Sequence, residues 1–159
     1  MKDISPHQVS SELRAHAQRT ERALVRASRA AALIGERVVV EATPSDTGEA
    51  RRGWRVVLMP DGAELVNDAP HALILEFGSL PHRPPLMPIL RWVMRVAFDG
   101  QAIDDIGAAP PEAVAMARAV VEKIASEGTE PHWMVRSNLA RLGKILAQTT
   151  QFELERVGS

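Results

Sequence analysis

Asp46-Thr47-Gly48 is the triplet in this chain closest to a known catalytic pattern. Two such triplets facing each other let paired carboxylates share a proton and activate water, the chemistry of aspartic proteases. In those enzymes the triplet follows an apolar strand. Here it follows Thr43-Pro44-Ser45, runs into Glu49-Ala50-Arg51-Arg52, and occurs once. A homodimer could supply a second carboxylate, but the flanks stay wrong, so Asp46 reads as the local cap of a turn. The five histidines (His7, His16, His71, His82, His132) make no H-x-x-x-H pair and no His–Glu spacing that puts two zinc ligands on one helix face. His71, Glu76 and His82 would converge only through tertiary folding, which would make a small metal-dependent hydrolase the third functional alternative, and surface or loop histidine is the plainer reading. Neither G-x-S-x-G nor a glycine-rich phosphate loop occurs, and cysteine is absent, which removes thiolate metal sites, iron–sulfur clusters, disulfides and cysteine nucleophiles together. The sequence therefore predicts no catalytic, cofactor-binding or metal-binding residue.

A second kind of chemistry is ionic. Up to Arg55 there are ten Lys or Arg against seven Asp or Glu; from Val56 onward there are nine against thirteen. Such a dipole can orient a protein on a partner but is too small to imply strong nucleic-acid binding. Arg19, Arg22, Arg26, Arg29 and Arg37 fall roughly on one side of a helical wheel. That face is read as solvated or as meeting an acidic partner, and a nucleic-acid-associated role for it is the main alternative function. With three Phe, three Trp and no Tyr there is little to stack on single-stranded bases. Trp54, Trp92 and Trp133 read as core or interface anchors.

The elements that carry these residues follow from periodicity and turn chemistry. Length suits one domain over 1–159, and 45% apolar with 25% charged residues excludes wholesale disorder. No stretch approaches a membrane span, and the N-terminus MKDISPHQ lacks an apolar signal core, so a membrane partner is not expected and folding in a reducing cytoplasm is. Ser5 as N-cap and Pro6 at the first turn open a long helix that reaches at least Ile34, about 45 Å if straight, and runs on to about Glu41. Leu13, Ala17, Thr20, Leu24, Ala27, Ala31 and Ile34 fall on one face of it. A turn-and-hairpin region, 42–79, follows: two extended runs, 54–59 and 63–67, flank Pro60-Asp61-Gly62. Residues 80–159 hold loops and helices. A short helix from His71 to Phe77 stops at Gly78, and the stiff loop Gly78–Pro85, with Leu80, His82 and Arg83 pointing outward, reads as an assembly surface. An apolar helix Leu86–Phe98, a break at Asp99-Gly100, a helix Pro111–Glu127 and a last helix carrying Val135, Leu139, Leu142 and Leu146 complete the order. Gly78-Ser79 and Gly128-Thr129 form a faint internal echo, each before a proline-containing segment and then a helix. The expected class is α+β, with a small antiparallel sheet packed by a long N-terminal helix and several C-terminal ones.

Three blocks carry a resemblance. Thr43-Pro44-Ser45-Asp46-Thr47-Gly48-Glu49-Ala50-Arg51-Arg52-Gly53-Trp54 resembles the P-x-D-T-G-x-L-R-x-S-W segment of the tail-completion, or neck, proteins of long-tailed bacteriophages. Asn67-Asp68-Ala69-Pro70-His71-Ala72-Leu73-Ile74-Leu75-Glu76-Phe77-Gly78-Ser79 is similar to that family's N-x-x-P-Y-A-x-x-x-E-x-G-T block. Gly128-Thr129-Glu130-Pro131-His132-Trp133-Met134 resembles its later G-T-x-P-x-x-F/M block. Ala50, Gly53 and His71 depart from the family's Leu, Ser and Tyr. The resemblance implies a non-enzymatic virion protein, made in the host cytoplasm. It implies a six-fold ring at the head–tail junction, between the connector below the portal and the tail terminator or tail tube, with DNA passing through its channel. It also implies structural roles for Pro44, Asp46, Gly48, Trp54, Asn67, Pro70, Glu76, Gly78, Gly128, Pro131 and Trp133.

Overall fold

The computed structural model describes residues 6–98 and 103–158. In chain order its elements are α1 (Pro6–Ala42), α2 (Glu49–Arg52), β1 (Trp54–Met59), β2 (Gly62–Asn67), α3 (Ala72–Phe77), α4 (Leu86–Ala97), α5 (Pro111–Glu127) and α6 (Leu139–Gly158), with 3-10 turns at Ile106–Ala108 and Arg136–Asn138. The class is α+β, about 68% helical, as the sequence predicts. The Ser5 cap and the Asp99-Gly100 break lie outside the described residues. Two compact units emerge, one from 1–70 with 134–159 and the other from 71–133, so the chain leaves the first unit after Pro70 and rejoins it at Met134.

In the first unit α1 is the spine, 37 residues and about 55 Å long at 1.5 Å per residue. The helix α6 runs antiparallel along it: Arg26 meets Glu153 at 2.7 Å, and Arg141 approaches Glu41 at 3.9 Å near the other end. The hairpin β1–β2 lies against the same helix, paired Trp54↔Asn67 through Met59↔Gly62 around a two-residue Pro60-Asp61 turn. Small side chains let these elements approach α1 closely: its buried positions are Ala23, Ala27, Gly35, Val38 and Val39, with Leu142 of α6 close over Gly35. This shifts the core face away from the one that sequence periodicity marks. Only Ala27 of that set is buried, whereas Leu13, Leu24 and Ile34 are 65%, 46% and 46% exposed. The displacement has a plain cause: α1 is packed on more than one side by α6 and the hairpin, so no single 100° stripe describes its contacts. The last helix starts at Leu139, and Val135 precedes the 3-10 turn that leads into it.

In the second unit α4 and α5 pack on each other around Leu90, Val93, Met94, Ile103, Ala113 and Ala117. Alanines at 113 and 117 on α5 leave room for the larger side chains of α4. Helix α5 begins with Pro111 at its first position, where the missing N–H costs nothing. Pro88 lies within the first turn of α4 and is tolerated for the same reason. The apolar α4 is not buried on every side: Trp92 is 39% and Val96 is 61% exposed. No described helix is long and apolar enough to cross a membrane.

Candidate functional site

The three resembling blocks resolve into two nodes, one in each unit. In the first unit, Thr43 is buried at the end of α1. Its hydroxyl donates to the Val39 carbonyl at 2.6 Å and accepts the Trp54 indole N–H at 2.8 Å. The Thr43 carbonyl accepts the Arg51 Nε–H at 2.7 Å. Gly48, at φ +78, is the N-cap residue of α2, and the Glu49 amide meets Thr47 Oγ1 at 3.4 Å. Asn67 closes the node from the far strand. Its Nδ2 donates to the Ala50 carbonyl at 2.8 Å and its Oδ1 accepts the Ala69 amide at 2.9 Å. A Cβ at position 53 would run into Asn67 Oδ1, so glycine there follows from the close approach of the strand ends. The Thr43–Trp54 segment and the Asn67–Pro70 segment thus hold each other by hydrogen bonds that replace the solvation lost on burial.

The second node makes the internal echo physical. Gly78-Ser79-Leu80-Pro81-His82 and Gly128-Thr129-Glu130-Pro131-His132 share the pattern Gly-Ser/Thr-x-Pro-His. Ser79 and Thr129 form an isolated antiparallel bridge, with N–H to carbonyl distances of 3.1 and 3.2 Å, and the Thr129 hydroxyl lies 3.0 Å from Ser79 Oγ. Each glycine also ends its helix: the Gly78 amide donates to the Ile74 carbonyl and the Gly128 amide to that of Ile124. The arms then cross over, with the His82 amide donating to Ile124 and the His132 amide to Leu75. Gly78 has φ +72 and ψ −169, and Gly128 has φ +80 and ψ −156, a region open essentially to glycine alone. A Cβ on either would overlap the carbonyl oxygen of the opposite arm, Thr129 or Ser79. Trp133, at φ +51, sets its ring edge-on to Phe77, with centroids 6.4 Å apart. Glu76 of the second block is buried.

Around this clasp the loop residues are displayed. Leu80 is 85% exposed; Pro81 and His82 are also exposed, and Arg83 is ion-paired with Glu122 at 2.7 Å across solvent. The His82 ring is turned back on its own loop, Nδ1 lying 3.0 Å from the Leu80 carbonyl. Among the described residues no group of three His, Asp or Glu is placed to hold a metal, so His71, Glu76 and His82 are not brought together as ligands.

The arginines of α1 divide. Arg26 donates Nε to Glu153, and Arg29 donates Nε and Nη2 to the Gly62 and Met59 carbonyls at 3.2 and 2.8 Å, fastening the hairpin turn to the spine. Arg19 and Arg22 are exposed. Arg22, Arg26 and Arg29 line an open groove of about 500 Å³ with Glu21, Val25 and Pro60. The hydrogen bond from Arg26, aided by the charges of Arg26 and Arg156, holds the Glu153 carboxyl below the usual glutamate range against the opposing effect of desolvation. Nothing in the sequence pattern marks Glu153 as the partner of Arg26, since the two are 127 residues apart. Comparisons with protein-family models, with curated proteins and with solved structures give no match.

Proposed function

We propose that this chain is a structural subunit of a tailed-phage particle, a neck or tail-completion protein that forms a ring between the head connector and the tail terminator or tube. One observation carries the reading. The residues of the three resembling blocks are spent on backbone geometry: Thr43, Trp54 and Asn67 lock one node, and Gly78-Ser79 and Gly128-Thr129 lock the other. Motifs of this kind preserve a shape rather than a reaction, and a shape is what a ring subunit must reproduce at every contact. The exposed Leu80 and the arginines of α1 supply surface for such contacts. The six-fold count, the virion location and the named partners rest on the resemblance.

Deleting the gene from the phage or prophage that carries it tests the proposal. The expected phenotype is DNA-filled heads and complete tails that fail to join, restored by supplying the chain in trans. Normal yields of joined particles without the chain would refute it. The nucleic-acid alternative predicts tight duplex binding by the purified chain at physiological salt. It is the weaker reading because Arg26 and Arg29 already serve contacts inside the fold.

A further inference from the structure

We infer that the arginine groove on α1 of one copy receives the Gly78/Gly128 clasp of the next copy, an inference that rests on the ring reading above. The groove is lined by Glu21, Arg22, Val25, Arg26, Arg29 and Pro60. Arg26 and Arg29 are fixed through Nε, and in Arg29 also through Nη2, so their guanidinium planes are pre-oriented while the remaining nitrogens make no bond among the described residues. Arg22 has no side-chain partner among the described residues. Val25 and Pro60 add apolar surface. The site therefore fits carboxylates placed beside an aliphatic side chain.

The clasp offers that combination. Glu127 and Glu130 flank Gly128-Thr129 on one arm, both exposed and without an ion-pair partner among the described residues. Leu80, 85% exposed, stands on the other arm, directly after the Ser79 that bridges to Thr129. The arms are locked by glycine geometry and prolines, so docking them costs little ordering entropy. Charge agrees at the larger scale. Residues 71–133 carry five Lys or Arg against eight Asp or Glu, and the rest of the chain carries fourteen against twelve. Two different surfaces meeting in this way make a heterologous contact, the kind that closes into a ring or extends into a filament. Nucleic acid suits the groove less well, because Glu21 on its wall and Glu153 on Arg26 offset much of the arginine charge and the net charge of the chain is −1.

The test is a charge swap on the full chain, read by sedimentation velocity across concentration and salt, with circular dichroism to check folding. Wild-type chain is expected to self-associate, more weakly as salt rises. Arg22→Glu and the pair Glu127→Arg/Glu130→Arg should each weaken association by about tenfold or more. The three changes combined in one chain should restore most of it. Self-association indifferent to both single-surface variants, or lost in both and not restored by the swap, would overturn the docking while leaving the neck reading standing. Wild-type chain that stays monomeric at every concentration would also overturn it, and the gene-deletion phenotype would then decide the neck reading separately. Salt-sensitive binding of a labelled 20-base-pair duplex that Arg22→Glu abolishes, without any self-association, would assign the groove to nucleic acid instead.

Discussion

Thr43 has one hydroxyl and uses it twice, donating to Val39 and accepting from Trp54. Valine has nearly the same shape and neither function, so Thr43→Val leaves a partly buried indole N–H without its acceptor. The expected cost is about 1–3 kcal/mol in urea unfolding, with Thr43→Ser recovering most of it. An unchanged midpoint in Thr43→Val would show that the Trp54 bond adds nothing to the node. Gly78 and Gly128 make a harder demand, because they combine a backbone conformation reserved for glycine with a carbonyl where Cβ would stand. Gly128→Ala is expected to destabilise by at least about 1–3 kcal/mol and to speed hydrogen exchange at the Ser79 and Thr129 amides. Gly143, with nothing near its Cβ position, provides the control: Gly143→Ala in α6 should stabilise slightly. At this scale part of the candidate site was legible. Gly78-Ser79 and Gly128-Thr129 stand out in the sequence as an echo, but their pairing across 50 residues becomes visible only when α3 and α5 end side by side.

Between elements, the contact of α1 with α6 is where ion pairing and packing coincide. Glu153 is buried on α6, and its hydrogen bond to Arg26 lowers its pKa in the folded state relative to the unfolded chain despite the desolvation. A lowered pKa contributes stability that is present above the unfolded value of about 4.3, and that contribution is lost as pH falls through the folded value. Glu153→Gln should therefore melt below wild type at neutral pH, with the gap closing as pH drops below about 4. A gap that stays constant into acid would mean that the side chain acts through shape and not charge. Several elements were legible in the sequence because strong local signals fix them. Pro6 and Pro111 open helices, Gly78 and Gly128 close them, and Pro60-Asp61-Gly62 turns the hairpin. What local pattern does not carry is which side of a long helix is covered. Leu24 and Ile34 fit an apolar stripe yet are 46% exposed, while Ala23, off that stripe, is fully buried. Partner elements decide this, and Leu142 and Glu153 arrive from the far end of the chain.

For the whole molecule, the described surface carries Leu80, Phe77, Leu73 and Trp92 on residues 71–133, and Leu13, Leu33, Leu58, Leu139 and Phe152 on the remainder, all more than a third exposed. Singly exposed apolar side chains are ordinary, but this many large ones on a chain of 159 residues suit a protein whose working state has neighbours. Combined with the opposite charge of the two units, this supports the proposed assembly through surfaces. The change Leu80→Ser with Arg83→Ser should leave melting nearly unchanged, since Leu80 is solvated and the Arg83–Glu122 pair is exposed. It should nevertheless reduce the joining of tails to filled heads, and normal joining would make the loop a mere connector. Electron cryo-microscopy of purified particles, with mass spectrometry of their protein content, tests the neck assignment. The chain is expected in every joined particle, as a closed ring at the head–tail junction in which copies contact through the clasp loops. Joined, infectious particles that lack the chain, or a chain found only free or on DNA, would contradict it.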